Sequence, residues 1–231
     1  MDFKTIGSVA FGFAKEVGYR AVHLGSLTKS VTTMVGNLSL TVLSTAADIL
    51  HGGTEKSFAR SARYAQAGIG ASFAKVGEQI IKTINPYAQF EYEDQKSSLL
   101  DKGFSKGRLK LGDIPFNFHT MALWQQKKLS ELGSSPNFFE KEIASRLFSG
   151  LSSSIFALGG AASTGFGLLT TLMAIITAGY FPKVNSVAYN NLRSVGFTLN
   201  QIHQGLVGVV NPGHLCGNPV PNSSVQYFNT G

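Results

Sequence analysis

The chain has one cysteine, Cys216, in 231 residues, so no disulfide can form within it and its fold must be held by packing alone. Charge is scarce as well. Asp, Glu, Lys and Arg make up 14% of the residues, against about 25% in ordinary soluble domains. No acidic residue follows Glu142, and residues 143–231 carry only Arg146, Lys183 and Arg193. From Leu147 to Pro182 no charged residue occurs, which excludes a solvated surface there and leaves a packed core or lipid. Catalytic signatures are missing too. GFSKGR lacks the spacing and the following hydroxyl of a phosphate-binding loop, and there is no dinucleotide fingerprint, HExxH or GxSxG. These absences predict a non-enzymatic protein with no cofactor. After Lys4 the apolar stretch is only ten residues long and broken by glycine before Lys15, so no cleavable signal peptide is expected.

What is present is apolar, small and weakly basic. Hydrophobic residues make up 43% of the chain and glycine 26 of 231 residues, a bias toward membrane proteins or tightly packed helices. The net charge is +7, and residues 1–142 hold 17 basic and 13 acidic side chains. The densest basic run, DKGFSKGRLK, sets Lys102, Lys106, Arg108 and Lys110 among Phe104, Leu109 and Leu111. Such a run suits an anionic membrane surface. Lipid is the expected partner, a partner protein the second choice, and nucleic acid is not expected.

The sequence also repeats itself. A gapless shift of 126 residues lays FAKEVGYR (Phe13 to Arg20) on FEKEIASR (Phe139 to Arg146) and continues through Thr45 on Thr171, Gly53 on Gly179, Gly70 on Gly196 and Asn85-Pro86 on Asn211-Pro212. Each unit reads as three helical segments. In the first unit these are Phe3–Leu24, with apolar residues at three- and four-residue spacing, then Ser30–Leu50 up to the Gly52-Gly53 stop, then Phe58–Ile84, a basic amphipathic helix. Asn-Pro closes both third segments. Ser135 is expected to cap the second unit with Pro136 at its first helical position, and Thr120–Leu132 forms a short helix before it. The expected class is all-α: residues 1–90 and 119–212 as two related helical units in antiparallel packing around one strongly apolar central helix, a charged linker at 91–118, and an extended or disordered tail at 213–231.

Within the uncharged stretch, Ala161 to Phe181 would give about 31 Å of helix, close to the roughly 30 Å hydrocarbon core of a bilayer. Tyr180 and Phe181 beside Lys183 suit an interfacial belt. The expected membrane-inserting residues are Phe166, Leu168, Leu169, Leu172, Met173, Ile175, Ile176, Tyr180 and Phe181. Ser30–Leu50 is milder and is expected to be a core helix. Asp48, within a turn of the Gly52-Gly53 stop, is expected to reach water. His214 with Cys216 is too small a set for zinc, and no metal site is expected. The alternative function is a soluble helical interaction module, or an effector that exposes its apolar helix conditionally.

Overall fold

The computed structural model describes residues 3–91 and 118–214, and all regular structure among them is helical. Helix α1 spans Phe3–Leu50, α2 Lys56–Ile84 and α3 Phe118–Gly133; a π-helical turn, Phe139–Ala144, runs into α4, Ser145–Ile176, and α5 spans Pro182–Val210.

Three local expectations are corrected by these boundaries. The segments Phe3–Leu24 and Ser30–Leu50 are one helix, because Gly25–Lys29 offers a single glycine and no proline. A lone glycine costs about 1 kcal/mol in a helix and does not interrupt its ladder. The second unit is capped by Asn137, whose Oδ1 accepts from Phe139 N at 2.9 Å; Ser135 Oγ accepts from Asn137 N and donates to Glu140. Pro136 therefore precedes the helix. The expected helix Ala161–Phe181 stops at Ile176, because Ala178 and Gly179 take φ of 48° and 68°. The apolar helix extends instead toward its N-terminal side, back to Ser145.

The turn after α4 matches the turn after α1, residue for residue, at a distance of 126. Gly53 N donates to Asp48 O (2.9 Å) and Gly52 N to Ile49 O; Gly179 N donates to Ala174 O (2.7 Å) and Ala178 N to Ile175 O. Both are Schellman turns, which satisfy the last carbonyls of a helix by a residue in the left-handed region. The long α2 and α5 begin and end 126 residues apart, and their closing asparagines reach across. Asn85 Nδ2 donates to Ala178 O at 2.9 Å, and Asn211 Nδ2 donates to Gly52 O at 2.7 Å. Each asparagine Oδ1 also accepts the amide two residues on, from Tyr87 and from Gly213.

In the assembled fold α1 packs on α2, α2 on α5 and α5 on α4, while α3 lies against the start of α4. The middle of the bundle is thus the α2–α5 pair, and the apolar α4 is a flank, not the centre. Gly70 and Gly196, halfway along those two helices, sit where they touch. A Cβ on Gly70 would meet Gly196 N at 2.8 Å, and one on Gly196 would meet Gln66 O at 2.5 Å, so both positions need the bare backbone.

Candidate membrane surface and buried polar cluster

Polarity in this bundle is inverted. Its outer surface carries large apolar side chains: Leu147, Leu151, Ile155 and Leu158 of α4, and Val31, Val35, Leu38 and Val42 of α1. Its interior holds a few large apolar side chains, Phe156, Ile81, Leu129 and Leu192 foremost, among many small and polar residues. Ser149, Ser152, Ser153, Ser163 and Thr171 of α4 are buried, and so are Asn185, Asn191, Thr198, Asn200, Gln201 and Gln204 of α5. Buried polar residues are ordinarily the exception, and outward leucines in rows are rarer still. Phe11–Leu50 and Phe139–Ile176 are each long and apolar enough to cross a membrane by length and composition.

Of the residues expected to insert, Phe166, Leu168, Leu169, Leu172, Met173, Ile176, Tyr180 and Phe181 are exposed, with 46% to 75% of their surface open. Ile175 is different. It is half-buried against the Ile81, Ala88 and Ala174 cluster. Ser30–Leu50, expected as core, bears the exposed Val31, Val35, Leu38, Leu40, Val42 and Leu43, so only one of its faces is interior. Lys102, Lys106, Arg108 and Lys110 lie outside the described residues. Among the described cations, Lys15, Arg20 and Lys29 of α1, Lys56, Arg60, Arg63 and Lys75 of α2, and Lys127, Lys141 and Lys183 are exposed, Lys183 beside the open Tyr180 and Phe181.

Besides Glu78, which is buried and bridged to Lys82 at 2.6 Å, the described interior holds a titratable pair contributed by two different helices. Asp48 does not reach water: its side chain and that of His203 are 2% and 1% exposed, with His203 Nε2 at 2.9 Å from Asp48 Oδ2. That contact lies off hydrogen-bond geometry, since neither His203 Nε2 nor Asp48 Oδ1 has a hydrogen-bond partner among the described residues. Around them Gln66 Nε2 donates to Thr45 Oγ1 at 3.0 Å and lies 3.2 Å from His203 Nδ1, and Asn200 Nδ2 donates to Gln66 Oε1 at 3.1 Å. Four side chains from three helices are thereby tied together where α1 passes from α2 toward α5. Burial pushes the His203 imidazole down to about 4. His214, next to the Gly53 turn with Nε2 3.2 Å from Gln204 Oε1, is also pushed down to about 4 by burial.

This cluster was not legible as a site in the sequence. Asp48 and His203 are 155 positions apart, and Gln66 and Asn200 carry no charge to mark them; the one available signal was an acid in an apolar helix. Chemically the cluster is closed. An open cleft of about 300 Å³ lies elsewhere, lined by Asn85, Tyr87, Gln89, Gly179, Tyr180 and Pro182, and brings no acid–base pair together. Among the described residues no three His, Cys, Asp or Glu side chains stand close enough to hold a metal ion; Cys216 lies outside them. No protein-family model, curated protein or solved structure matches this chain.

Proposed function

We propose that this is a non-enzymatic, membrane-associated protein that contacts lipid through the outward faces of α1 and α4. One observation carries the reading: apolar side chains point out and serines, threonines and amides point in, the reverse of a protein at home in water. Leu172, Met173 and Ile176 of α4 and Val31, Val35 and Leu38 of α1 enter the lipid. Lys29 and Lys183, with Lys102, Lys106, Arg108 and Lys110, favour an anionic surface at about 1 kcal/mol per basic side chain. The closed Asp48–His203 cluster then serves as polar glue between helices. Under the same reading the two units, 1–90 and 119–212, descend from one duplicated helical hairpin. The recurrence of both turns and the reciprocal Asn85 and Asn211 bonds support that descent.

The test is vesicle flotation of the full chain expressed without detergent. Binding to phosphatidylserine-containing vesicles that survives a carbonate wash is the expected result. The double variant Val35→Arg, Leu172→Arg should lose flotation while keeping its helical circular dichroism, because both sites are more than half exposed. A soluble monomer that leaves vesicles unbound sinks the proposal.

A specific feature favours a second reading, a soluble interaction module. Val17, Ala21, Leu24, Thr28, Val31, Val35, Leu38 and Val42 follow alternating four- and three-residue steps along the exposed side of α1. That is the 3.5-residue seam of a coiled coil. A stable soluble oligomer dissociated by Val31→Lys, with no vesicle binding, would decide for it.

A further inference from the structure

We infer that the bundle lies in the membrane surface with its helix axes parallel to the bilayer plane, presenting α1 and α4 together as one lipid-facing side; this rests on the membrane reading above. The first support is symmetry. Asn85, closing α2, bonds to the residue before α5 begins its turn-in, and Asn211, closing α5, bonds to the turn before α2, so α2 and α5 run in opposite directions. A two-fold rotation that exchanges two antiparallel neighbours has its axis normal to the layer they form. Such a rotation leaves α1 and α4 on the same side of that layer. Both flanks do lean over it: α1 reaches α5 through Asp48 and His203, while α4 reaches α2 where Ala174 packs with Ile81.

The second support is the path of the chain. Glu91 N donates to Ser186 Oγ at 2.7 Å, which fixes the end of the first described stretch at the beginning of α5. The chain is next seen in α3, where Gln125 Nε2 donates to Ser152 Oγ at 2.8 Å and Trp124 meets Phe148 edge to face. That part of α4 lies at the far end of α5, because a Cβ on Gly205 would touch Ser149 O at 2.9 Å. Ser186 and Gly205 are 19 residues apart, about 28 Å of helix at 1.5 Å per residue. Residues 92–117 must join these two ends. They include Glu93, Asp94, Lys96, Asp101, Lys102, Lys106, Arg108, Lys110 and Asp113. With the bundle upright in a bilayer this charged segment would have to traverse a hydrocarbon core of roughly 30 Å, where each ionised side chain is strongly disfavoured. A bundle lying flat leaves both ends at the aqueous interface, so no charged residue has to cross the hydrocarbon core.

The experiment uses the full chain in a Cys216→Ser background, carrying one cysteine at Thr54 or Tyr87, at opposite ends of the bundle, or at Val35 or Leu172. Each variant is checked for helical circular dichroism, bound to preformed sealed vesicles of phosphatidylcholine and phosphatidylserine, and exposed to a membrane-impermeant maleimide outside. Both end positions should label fully without detergent, while Val35→Cys and Leu172→Cys label roughly tenfold more slowly than in the absence of vesicles. An end position that labels only after detergent means a spanning bundle and overturns the inference while leaving the membrane reading intact. Protection of only one of the two face positions overturns it as well, because the flanks would not share a side. If no variant floats with vesicles, the membrane reading itself fails. Polarised infrared spectra of the unmodified chain on oriented bilayers supply a measurement free of substitutions: helix axes near the plane agree, and axes near the normal overturn the inference.

Discussion

The two turn regions of this molecule share a backbone and differ in what they enclose. At the first, Gly52-Gly53 meets Asn211, and the space behind it holds Asp48, His203 and His214. At the second, Ala178-Gly179 meets Asn85, and the matching positions are Ala174 and Ala88, packed with Ile81 and Val184, and Gly77, which faces Leu192 and Thr171. The hydrogen bonds of turn and cap are alike at both ends to within a few tenths of an ångström. Main-chain geometry therefore tolerates either a polar or an apolar filling. What it requires is narrow: a left-handed residue after α1 and after α4, an asparagine closing α2 and α5, and glycine where those two helices cross.

If filling and backbone are separable, exchanging the filling at one end should damage only that end. Ala174→Asp sets a carboxyl with no partner beside Ile81 and Ala88, and an uncompensated buried charge costs about 3–5 kcal/mol. Asp48→Ala removes a carboxyl but leaves His203 able to stay neutral, so the loss should be about 1–3 kcal/mol. Urea denaturation of both variants checks the order; equal losses would mean the two ends are not distinct in filling.

Acid should single out the histidine end. His203 and His214 are held near 4, below the ordinary value of about 6.5. Both stay neutral in the fold while the unfolded chain binds their protons. Their contribution is full above pH 6.5 and is lost as pH drops toward 4. Asp48 offsets part of that loss, because burial pushes its carboxyl up and it takes its proton in the fold before it does in the unfolded chain. His214→Ala, which copies Ala88, should make the fall shallower in melts taken from pH 7 to pH 4. An unchanged slope would remove His214 from the account.

The crossing makes the opposite demand, that both halves respond alike. Gly70→Ala and Gly196→Ala each drive a methyl into facing main chain, and the helix-propensity gain of about 1 kcal/mol offsets only part of the strain. Each should lose about 2 kcal/mol, with the same midpoint shift in urea. Unequal shifts would show that the halves do not share one crossing.

The sequence carried the helical class and the helix stops at Gly52-Gly53 and at the two Asn-Pro pairs, because those depend on periodicity, glycine and proline, which act locally. It misjudged the interior. Ser30–Leu50 looked too polar to carry an exposed apolar face, since hydrophobicity summed around a helix hides which side holds the serines; Val35 and Leu38 point out while Thr41 and Ser44 point in. The apolar α4 looked central for the same reason. Asp48 looked solvated because distance to the turn was legible and the arrival of His203 from α5 was not. The capping asparagines were visible only as helix ends, for their bonds cross from one half to the other.

The finest contrast is the residue after each apolar helix. Gly52 takes φ of 61° without steric cost, but Ala178 adopts 48°, where an L side chain is strained. Ala178→Gly should relieve that strain and outweigh the added freedom of the unfolded chain, a gain of about 0.5–1 kcal/mol; Gly52→Ala should lose about 1 kcal/mol by copying the strained turn. Thermal melts of the two single variants and of the double exchange resolve this, and the double should return close to the parent because the turns sit at opposite ends and share no partner. A double that stays destabilised would mean that the Gly52 turn, whose carbonyl receives Asn211 in front of the polar cluster, is held more tightly than its counterpart, and that the filling reaches the backbone after all.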